Sequence, residues 1–507
     1  MKNNKKLDDV EKLSNHFSKN NEKYQVAIIE LPSFVDTSSK ERNKAIKELF
    51  KSLFFSITKT GSAWVIVDDE YVDGKLLKNS FNTAKELQKA GFFLKNVNIW
   101  YNESKENDPR FLKNRYRTII FVTKEESYTF NLDLVREEHI WKNHEWGGGR
   151  RSRYNPKGKN PSNFWIKVKS KNTKIFQYLP LTTKEVLKRC ILLSSKKEDR
   201  LLIAINDSES IKNVKEEMSI SPKIIKLDYS KSGKESVSNH SKDHSKHAKN
   251  PVFNKIFNKS SENMMEIKNN SVQLVITSPP YWGLRDYQTD SQIGYSDSYE
   301  EYLQRLEVVW KECFRILNNS GSLWVNIGKR IIDHQMLLLA DGIIEKAEKI
   351  GFVLQDIVIW HKPVTVPTSG KNNFTDRYEH VLFFSKKGQK FFINSKFKNT
   401  INDYLDTETS VPLNVWKIHR RIGNIGKKIE TRTKEEIIKH TAVYPDDLVK
   451  RIIEFFSEKD DLILDPFAGS GTTLSTANKL ERKWVGYELN KKYNHLIRLR
   501  LKSDIFH

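Results

Sequence analysis

The feature that most constrains this chain is that it repeats itself. GSAWVIV at 61–67 returns as GSLWVNI at 321–327. Thirty residues further on, each copy carries a Gly-Phe pair, at Gly91 and Gly351, and nine residues later a tryptophan, Trp100 and Trp360. RYRTIIFVTK (115–124) then matches RYEHVLFFSK (377–386), and NPSNFW (160–165) matches VPLNVW (411–416). LKRCILLSSKKED (187–199) echoes VKRIIEFFSEKDD (449–461). Several independent anchors at matched spacing mean a duplicated domain. The expected organisation is a polar, frayed lead-in at 1–21, a first copy at 22–230, a linker at 231–252 and a second copy at 253–507.

Each copy alternates short apolar strands with amphipathic helical patterns. In the second, VQLVIT, SLWVNI, FVLQDIVIW, HVLFFSK, DLILDPF and WVGYEL read as strands. SYEEYLQRLEVVWKECFRIL, MLLLADGIIEKAEKI, PDDLVKRIIEFFS and TTLSTANKL read as helices. Such alternation predicts an α/β fold with helices on both faces of a mixed, mostly parallel sheet, built twice. The linker KSGKESVSNHSKDHSKHAKN is polar and aperiodic, and its His240, His244 and His247 read as solvated rather than as metal ligands.

Composition narrows the class. The formal net charge of +23 points to a polyanionic partner. Cys190 and Cys313 are the only cysteines and lie far apart in helical patterns, which excludes a disulfide framework and a cysteine metal site. No apolar run approaches the ~18–20 residues that span a bilayer. The N-terminal MKNNKKLDDVEKLSNHF lacks the apolar core of a signal peptide, so a cytoplasmic protein without a membrane partner is expected.

Two motifs carry chemistry. In VITSPPYWGLRDY (275–287), two prolines end an apolar strand at Ser278 and set Tyr281 and Trp282 on a stiff loop. In LILDPFAGSGTTLSTANKLERKWVGYELN (462–490), a strand ends at Asp465, a glycine loop follows, and a helix starts at Thr472 or Thr473. Such a loop lets backbone approach a ligand at the carboxyl end of a sheet. No lysine follows the glycines, so this is not a P-loop. Asp465 and Glu488 are expected to face the pocket, which suits a cofactor bearing ammonium and sulfonium charges. Glu488 would also accept hydrogen bonds from ribose hydroxyls.

TSPPYW together with DPFAGSGTT resembles the amino-methyltransferases of DNA, in the order of their β group. HTAVYPDDLVKRII (440–453) resembles a further cofactor-side segment of that family, with Thr441 where proline is usual. The resemblance covers most of residues 253–500. It implies S-adenosyl-L-methionine as cofactor, no metal, and double-stranded DNA as substrate. It places Ser278, Pro279, Pro280 and Tyr281 in catalysis, and Asp465, Pro466, Phe467, Gly469, Ser470, Gly471, Thr472 and Glu488 at the cofactor. The Ser278 side chain and the Pro279 carbonyl would accept hydrogen bonds from an exocyclic amino group, with Tyr281 stacked on a flipped-out base. A serine in the first position favours N4 of cytosine, with N6 of adenine as the alternative. Cytosine C5 chemistry is set aside, because neither cysteine lies in a Pro-Cys loop. Methylation of RNA or protein, and DNA binding without turnover, are the competing classes.

The first copy lacks both motifs. AIIELPSFVD (27–36) stands for VITSPPYW, leaving Phe34 as the aromatic, and LLIAINDSES (201–210) replaces LILDPFAGSG. Asp228 is the counterpart expected for Glu488. This copy reads as a degenerate methyltransferase domain in a pseudo-heterodimer. HEWGGGRRSRYNPKGKNPSNFW (144–165) joins glycine, basic and aromatic residues and is the expected DNA segment, with Arg150, Arg151, Arg153, Lys157 and Lys159. In the second copy the basic run 416–434, with Arg420 and Arg421, is its counterpart. The enzyme would act alone or beside a separate restriction endonuclease. DDEYVDGK (68–75) reads as a strand end rather than a nuclease cluster; EHVLFF, with Glu379, resembles a family strand near the active site, and His380 reads as structural.

Overall fold

The computed structural model describes residues 4–32, 39–102, 111–137, 155, 157–170, 176–227, 240–241, 252–287, 289, 291–363, 373–394, 413–419 and 444–503. In the first half the elements are α1 (Asn4–Lys19), β1 (Tyr24–Glu30), α2 (Ser39–Ser56), β2 (Ile57–Val67), β3 (Glu70–Val72), β4 (Lys75–Leu77), α3 (Asn79–Lys89), β5 (Phe93–Tyr101) and β6 (Tyr116–Thr123). They continue with β7 (Phe164–Trp165), β8 (Lys167–Ser170), β9 (Phe176–Leu179), α4 (Thr183–Ser194), β10 (Leu201–Ala204), α5 (Ser208–Met218) and β11 (Lys223–Ile224). A short strand, β12 (His240–Ser241), precedes the second half.

The second half holds β13 (Lys255–Phe257), β14 (Val272–Thr277), α6 (Tyr299–Ile316), β15 (Leu317–Ile327), β16 (Arg330–Ile332), β17 (Gln335–Leu337), α7 (Leu339–Ile350), β18 (Phe352–His361), β19 (Tyr378–Lys386), β20 (Phe391–Phe392) and β21 (Val415–Lys417). It ends with α8 (Asp446–Phe456), β22 (Leu462–Asp465), α9 (Thr472–Lys479), β23 (Lys483–Tyr487) and α10 (Lys491–Ser503).

Two large sheets have one plan. The first runs β11-β10-β1-β2-β6-β5-β7, and the second runs β13-β23-β22-β14-β15-β19-β18-β21. In each sheet a single strand, β6 or β19, lies antiparallel to both neighbours, while the other pairs are parallel. The central strands are buried along nearly their whole length, as expected where helices cover both faces. Even the ring packing repeats. Trp64 stacks on Phe121 at 4.1 Å, and Trp324 on Phe383 at 4.3 Å.

The halves pack reciprocally. The Tyr116 hydroxyl donates to the Ile357 carbonyl, and the Tyr378 hydroxyl donates to the Val97 carbonyl. The Arg115 amide donates to Asn414 Oδ1, and the Arg377 amide to Asn163 Oδ1. The hairpin β3–β4 sends Leu76 into the second half's core, while β16–β17 sends Met336 into the first half's. This is isologous contact, the same surface used on both sides, within one chain.

Three expectations change. Residues 4–19 are not frayed, because Val10, Leu13 and Phe17 recur on one face of α1 and are buried against α2. DDEYVDGK is a hairpin turning at Asp73-Gly74, both at positive φ, rather than a strand end. Two residues of the expected linker form a strand, since His240–Ser241 pairs with Phe391–Phe392, while His244 and His247 lie outside the described residues. Among the described residues no helix is long and apolar enough to cross a membrane.

Candidate functional site

The strand order decides where a ligand can sit. β14 leads on to its neighbour β15, and β22 leads the other way to β23, while β14 and β22 are parallel neighbours. A crevice therefore opens at their carboxyl ends, where the two connections diverge. The two sequence motifs follow those very strand ends, and the fold brings them together. Thr277 Oγ1 donates to Asp465 Oδ1 at 2.8 Å and joins one motif to the other.

The Ser278–Tyr281 loop is fixed from several sides. Ser278, Pro280 and Tyr281 are half-buried and Pro279 is buried. The Tyr302 hydroxyl donates to the Pro280 carbonyl at 2.9 Å, and Trp282 Nε1 to the Asp297 carbonyl at 2.8 Å. Tyr281 lies so close to Gly328 that a Cβ there would come within 2.9 Å of its ring. Its hydroxyl donates to Glu379 Oε2 at 2.9 Å. Burial, and then the Glu379 charge, push the Tyr281 phenol well above its ordinary value, so it stays protonated.

Glu379 is the residue that the sequence reading underrated. Lys362 Nζ lies 2.6 Å from its Oε1, and Asn326 Nδ2 donates to its Oε2 at 2.7 Å. Burial pushes this carboxyl up, but the Lys362 ammonium and the three donors outweigh it and hold it below the usual carboxylate value. Its alternation partner His380 is a buried structural residue, pushed down to about 4 by burial.

On the other side of the crevice the glycine loop is held by backbone geometry. Gly469 and Gly471 have φ of 53° and 82°, and a Cβ on Gly471 would meet Ile497 at 2.9 Å. Glu488 directly follows β23, half-buried, and accepts from the Gly469 and Asn490 amides at 2.7 and 2.8 Å. Burial pushes its carboxyl up to about 7. Phe467 and Gly469 are half-exposed beside it, and Pro466 is buried. Asn490 Nδ2 also donates to the Tyr287 carbonyl at 3.0 Å and ties the two loops together. Neither Tyr287 nor Asn490 stands out in the sequence, since no motif spacing marks them.

Three of the expected cofactor residues face elsewhere. The Asp465 carboxylate turns inward, fully buried, with Thr277 and the Phe467 amide on Oδ1 and Thr473 and Tyr444 on Oδ2. Burial pushes its pKa up, and its four acceptor positions are occupied. It organises the loop rather than facing the crevice. Ser470 and Thr472 are buried, and their hydroxyls accept from Arg500 Nη1 of α10 at 3.4 and 2.9 Å.

The expected DNA residues divide. Arg150, Arg151, Arg153, Arg420 and Arg421 lie outside the described residues. Lys157 is exposed but paired with Asp133 at 2.6 Å. Lys159 is mostly buried and paired with Glu137 at 3.4 Å. The nearby Asn160 and Asn163 bond across to Asn373 and Asp376 of the second half.

The matching strand ends of the first half carry charged groups paired with one another. Glu30 ends β1, and its carboxylate accepts from Arg117 Nη2 at 2.7 Å and from the Asn206 amide, just past β10, at 2.8 Å. Arg117 Nε also reaches Asp68 at 2.8 Å. By the repeat, Glu30 stands at the place of Ser278, Arg117 at that of Glu379 and Asp68 at that of Gly328. An ion cluster of Glu30, Arg117 and Asp68 thus stands at the positions that Ser278, Glu379 and Gly328 hold in the second half. Phe34 and Asp228 lie outside the described residues.

Parts of the chain are similar in sequence to known proteins. The chain is 33% identical over 229 residues to the type II methyltransferase M.MwoI of Methanothermobacter wolfeii, covering 44% of this chain and 30% of that protein. It is 29% identical over 270 residues to M.Cfr9I of Citrobacter freundii, covering 48% and 85%. It is 30% identical over 257 residues to M.SmaI of Serratia marcescens, covering 45% and 83%. Among solved structures, the cytosine-N4-specific PvuII DNA methyltransferase aligns at 24% identity, over 49% of this chain and 86% of that one, with a TM-score of 0.41. The DNA methylase family model (N6_N4_Mtase) matches residues 35–202 and 272–498, more than half of the chain, and the protein belongs to that family.

Proposed function

We propose that the second half is a site-specific DNA amino-methyltransferase. It transfers a methyl group from S-adenosyl-L-methionine to the exocyclic N4 of a flipped-out cytosine in double-stranded DNA, within a restriction-modification system. The observation that carries this reading is the Thr277–Asp465 bond, which seats the Ser-Pro-Pro-Tyr loop beside the glycine loop at one crevice.

The residues present fit the cofactor. The loop turns through positive φ at Gly469 and Gly471 beside the strand end, and Glu488 keeps acceptor capacity beyond the two amides it binds. Glu488 would hold the ribose hydroxyls and Phe467 would cover the base of the cofactor. When bound, the cofactor supplies an electrophilic methyl on a sulfonium. The chain's own task is to prepare the nucleophile. An exocyclic amino group delocalises its lone pair into the ring, and acceptors at its two hydrogens favour a tetrahedral nitrogen. Ser278 Oγ and the Pro279 carbonyl fill that role, with the base stacked on Tyr281 and no covalent intermediate.

Serine in the first motif position favours cytosine N4; the same loop also suits adenine N6, which is the second reading. The first half is the silent partner of a pseudo-heterodimer, supported by the Glu30–Arg117 pair at its strand ends and the reciprocal contacts. Arg150, Arg151 and Arg153 are its candidate DNA contacts, and Arg420 and Arg421 are those of the second half. Incubation of unmodified DNA with protein and S-adenosyl-L-methionine, followed by nucleoside mass spectrometry, tests the reading. N4-methylcytosine is expected, and N6-methyladenine moves the target base. Neither product, on DNA covering all short sequences, overturns methyl transfer to DNA and leaves DNA binding without turnover.

A further inference from the structure

Resting on the amino-methylation reading above, we propose that Asn163 of the silent half is a positioning residue for methyl transfer, holding the strand ends of the live half that fix Tyr281. Asn163 is fully buried and bonds across the boundary between the halves. Its amide donates to the Thr375 carbonyl at 3.0 Å, its Oδ1 accepts from the Arg377 amide at 2.9 Å, and its Nδ2 donates to Asp376 Oδ1 at 2.9 Å. The next residue, Phe164, stacks on His361 with ring centroids 4.0 Å apart. These contacts pin the end of β18 and the start of β19, and the Lys362 amide joins the two by donating to the Arg377 carbonyl at 2.7 Å. From there each step to Tyr281 is a contact. Lys362 Nζ lies 2.6 Å from Glu379 Oε1, and Glu379 Oε2 accepts the Tyr281 hydroxyl at 2.9 Å. By a second route, Asp376 Oδ1 holds Lys329 Nζ at 3.1 Å. Lys329 directly follows Gly328, where a Cβ would come within 2.9 Å of the Tyr281 ring. The ring on which the target base stacks is thus held at its hydroxyl and at one edge by segments anchored on Asn163.

The repeat supplies a control. Asn414 is the counterpart of Asn163, and its Oδ1 accepts from the Arg115 amide at 3.0 Å, as Asn163 accepts from Arg377. Its Nδ2 donates to Asn114 Oδ1 at 3.1 Å, and Asn114 stands at the place of Asp376. Asp69 stands at the place of Lys329. The packing bond is shared, whereas an asparagine and an aspartate replace the ion pair that leads to the ring.

Asn163→Ala and Asn414→Ala, each made in the full chain, separate positioning from packing. Each leaves one strand-start amide without its acceptor, so the two should shift the urea midpoint by similar amounts. Asn163→Ala alone should lose kcat, by about 10- to 100-fold, the scale of a small misplacement at the reacting groups, with KM for DNA and cofactor affinity unchanged. Asn163→Asp keeps an acceptor for the Arg377 amide but offers Asp376 no donor. It should lose kcat likewise, and it decides the matter if Asn163→Ala does not fold. Unchanged kcat in Asn163→Ala, or equal kcat losses in Asn163→Ala and Asn414→Ala, overturns the inference. A loss confined to KM for DNA also overturns it and places Asn163 at the DNA instead. A wild-type chain that methylates no DNA overturns the reading beneath it, whereas wild-type transfer with a fully active Asn163→Ala overturns this inference alone.

Discussion

Tyr116 and Tyr378, which occupy the same place in the two halves, each donate a buried hydroxyl to a carbonyl of the opposite half, at 3.0 and 2.8 Å. A homodimer with a two-fold axis would show this pairing between subunits; here a single chain contains both sides. Tyr116→Phe and Tyr378→Phe should therefore cost similar amounts, about 1–2 kcal/mol each for a carbonyl left without its donor. Urea denaturation checks this. A large asymmetry between the two would mean that the interface is not reciprocal in energy.

Leu76 and Met336 lie just past the turns at the tips of the exchanged hairpins, both about 2% exposed. Truncating either to alanine removes a buried side chain from the other half's core and should destabilise the chain by about 2–4 kcal/mol. Because each tip sits in the opposite core, both halves should lose stability in one cooperative transition. Two separate transitions in calorimetry would contradict the interlocked arrangement.

The glycine loop gives a contrast between two substitutions. Gly471→Ala must adopt φ of 82° and also push Ile497 from 2.9 Å, whereas Gly388→Ala has φ of 74° and open space around it. The second should cost only about 1 kcal/mol of stability. The first should in addition weaken S-adenosyl-L-methionine binding, measured by titration calorimetry. Unchanged cofactor affinity in Gly471→Ala would remove the loop from the cofactor site.

Glu488 sets a pH dependence. Burial raises its carboxyl to about 7, above the ordinary carboxylate value, so it is mostly protonated at pH 6 and mostly ionised at pH 8. An ionised carboxylate is the better acceptor for ribose hydroxyls, so cofactor affinity should fall as pH drops through 7, by up to about tenfold per unit below it. Glu488→Gln should bind more weakly at pH 8 and lose this slope. A wild-type affinity flat from pH 6 to 8 contradicts the assignment.

Lys159 and the arginines near it separate fold from binding. Replacing Arg150, Arg151 and Arg153 together by alanine should weaken DNA binding and reduce its salt dependence, by a slope of about 0.9 for each phosphate that is no longer neutralised. Lys159→Met, whose cation is committed to Glu137 at 3.4 Å, should leave that slope alone. Equal effects on the slope would place Lys159 at the DNA.

Much of this is legible in the sequence, for identifiable reasons. β14, β15, β18 and β19 are long apolar runs repeated at matched spacing, and both motifs lie where strands end, so the crevice follows from order alone. Helix α1 is hard to see because its apolar residues are few among charges, although Leu7, Val10, Leu13 and Phe17 keep a helical period. Side-chain direction is not legible. Asp465, Ser470 and Thr472 sit in the motif, yet turn toward Tyr444, Thr473 and Arg500, partners contributed by neighbouring helices and a flanking loop. Glu379 is nearly a hundred residues from Tyr281, and only the antiparallel pairing of β19 with β15 brings it there.

The most direct test of the whole account is the stoichiometry of S-adenosyl-L-methionine binding, measured by calorimetry on the intact chain beside Ser278→Ala and Arg117→Ala. The account predicts one cofactor per chain in all three, with methyl transfer to DNA lost in Ser278→Ala and not gained in Arg117→Ala. Two cofactors per chain, or methyl transfer surviving in Ser278→Ala, would contradict a single live site in a two-fold chain.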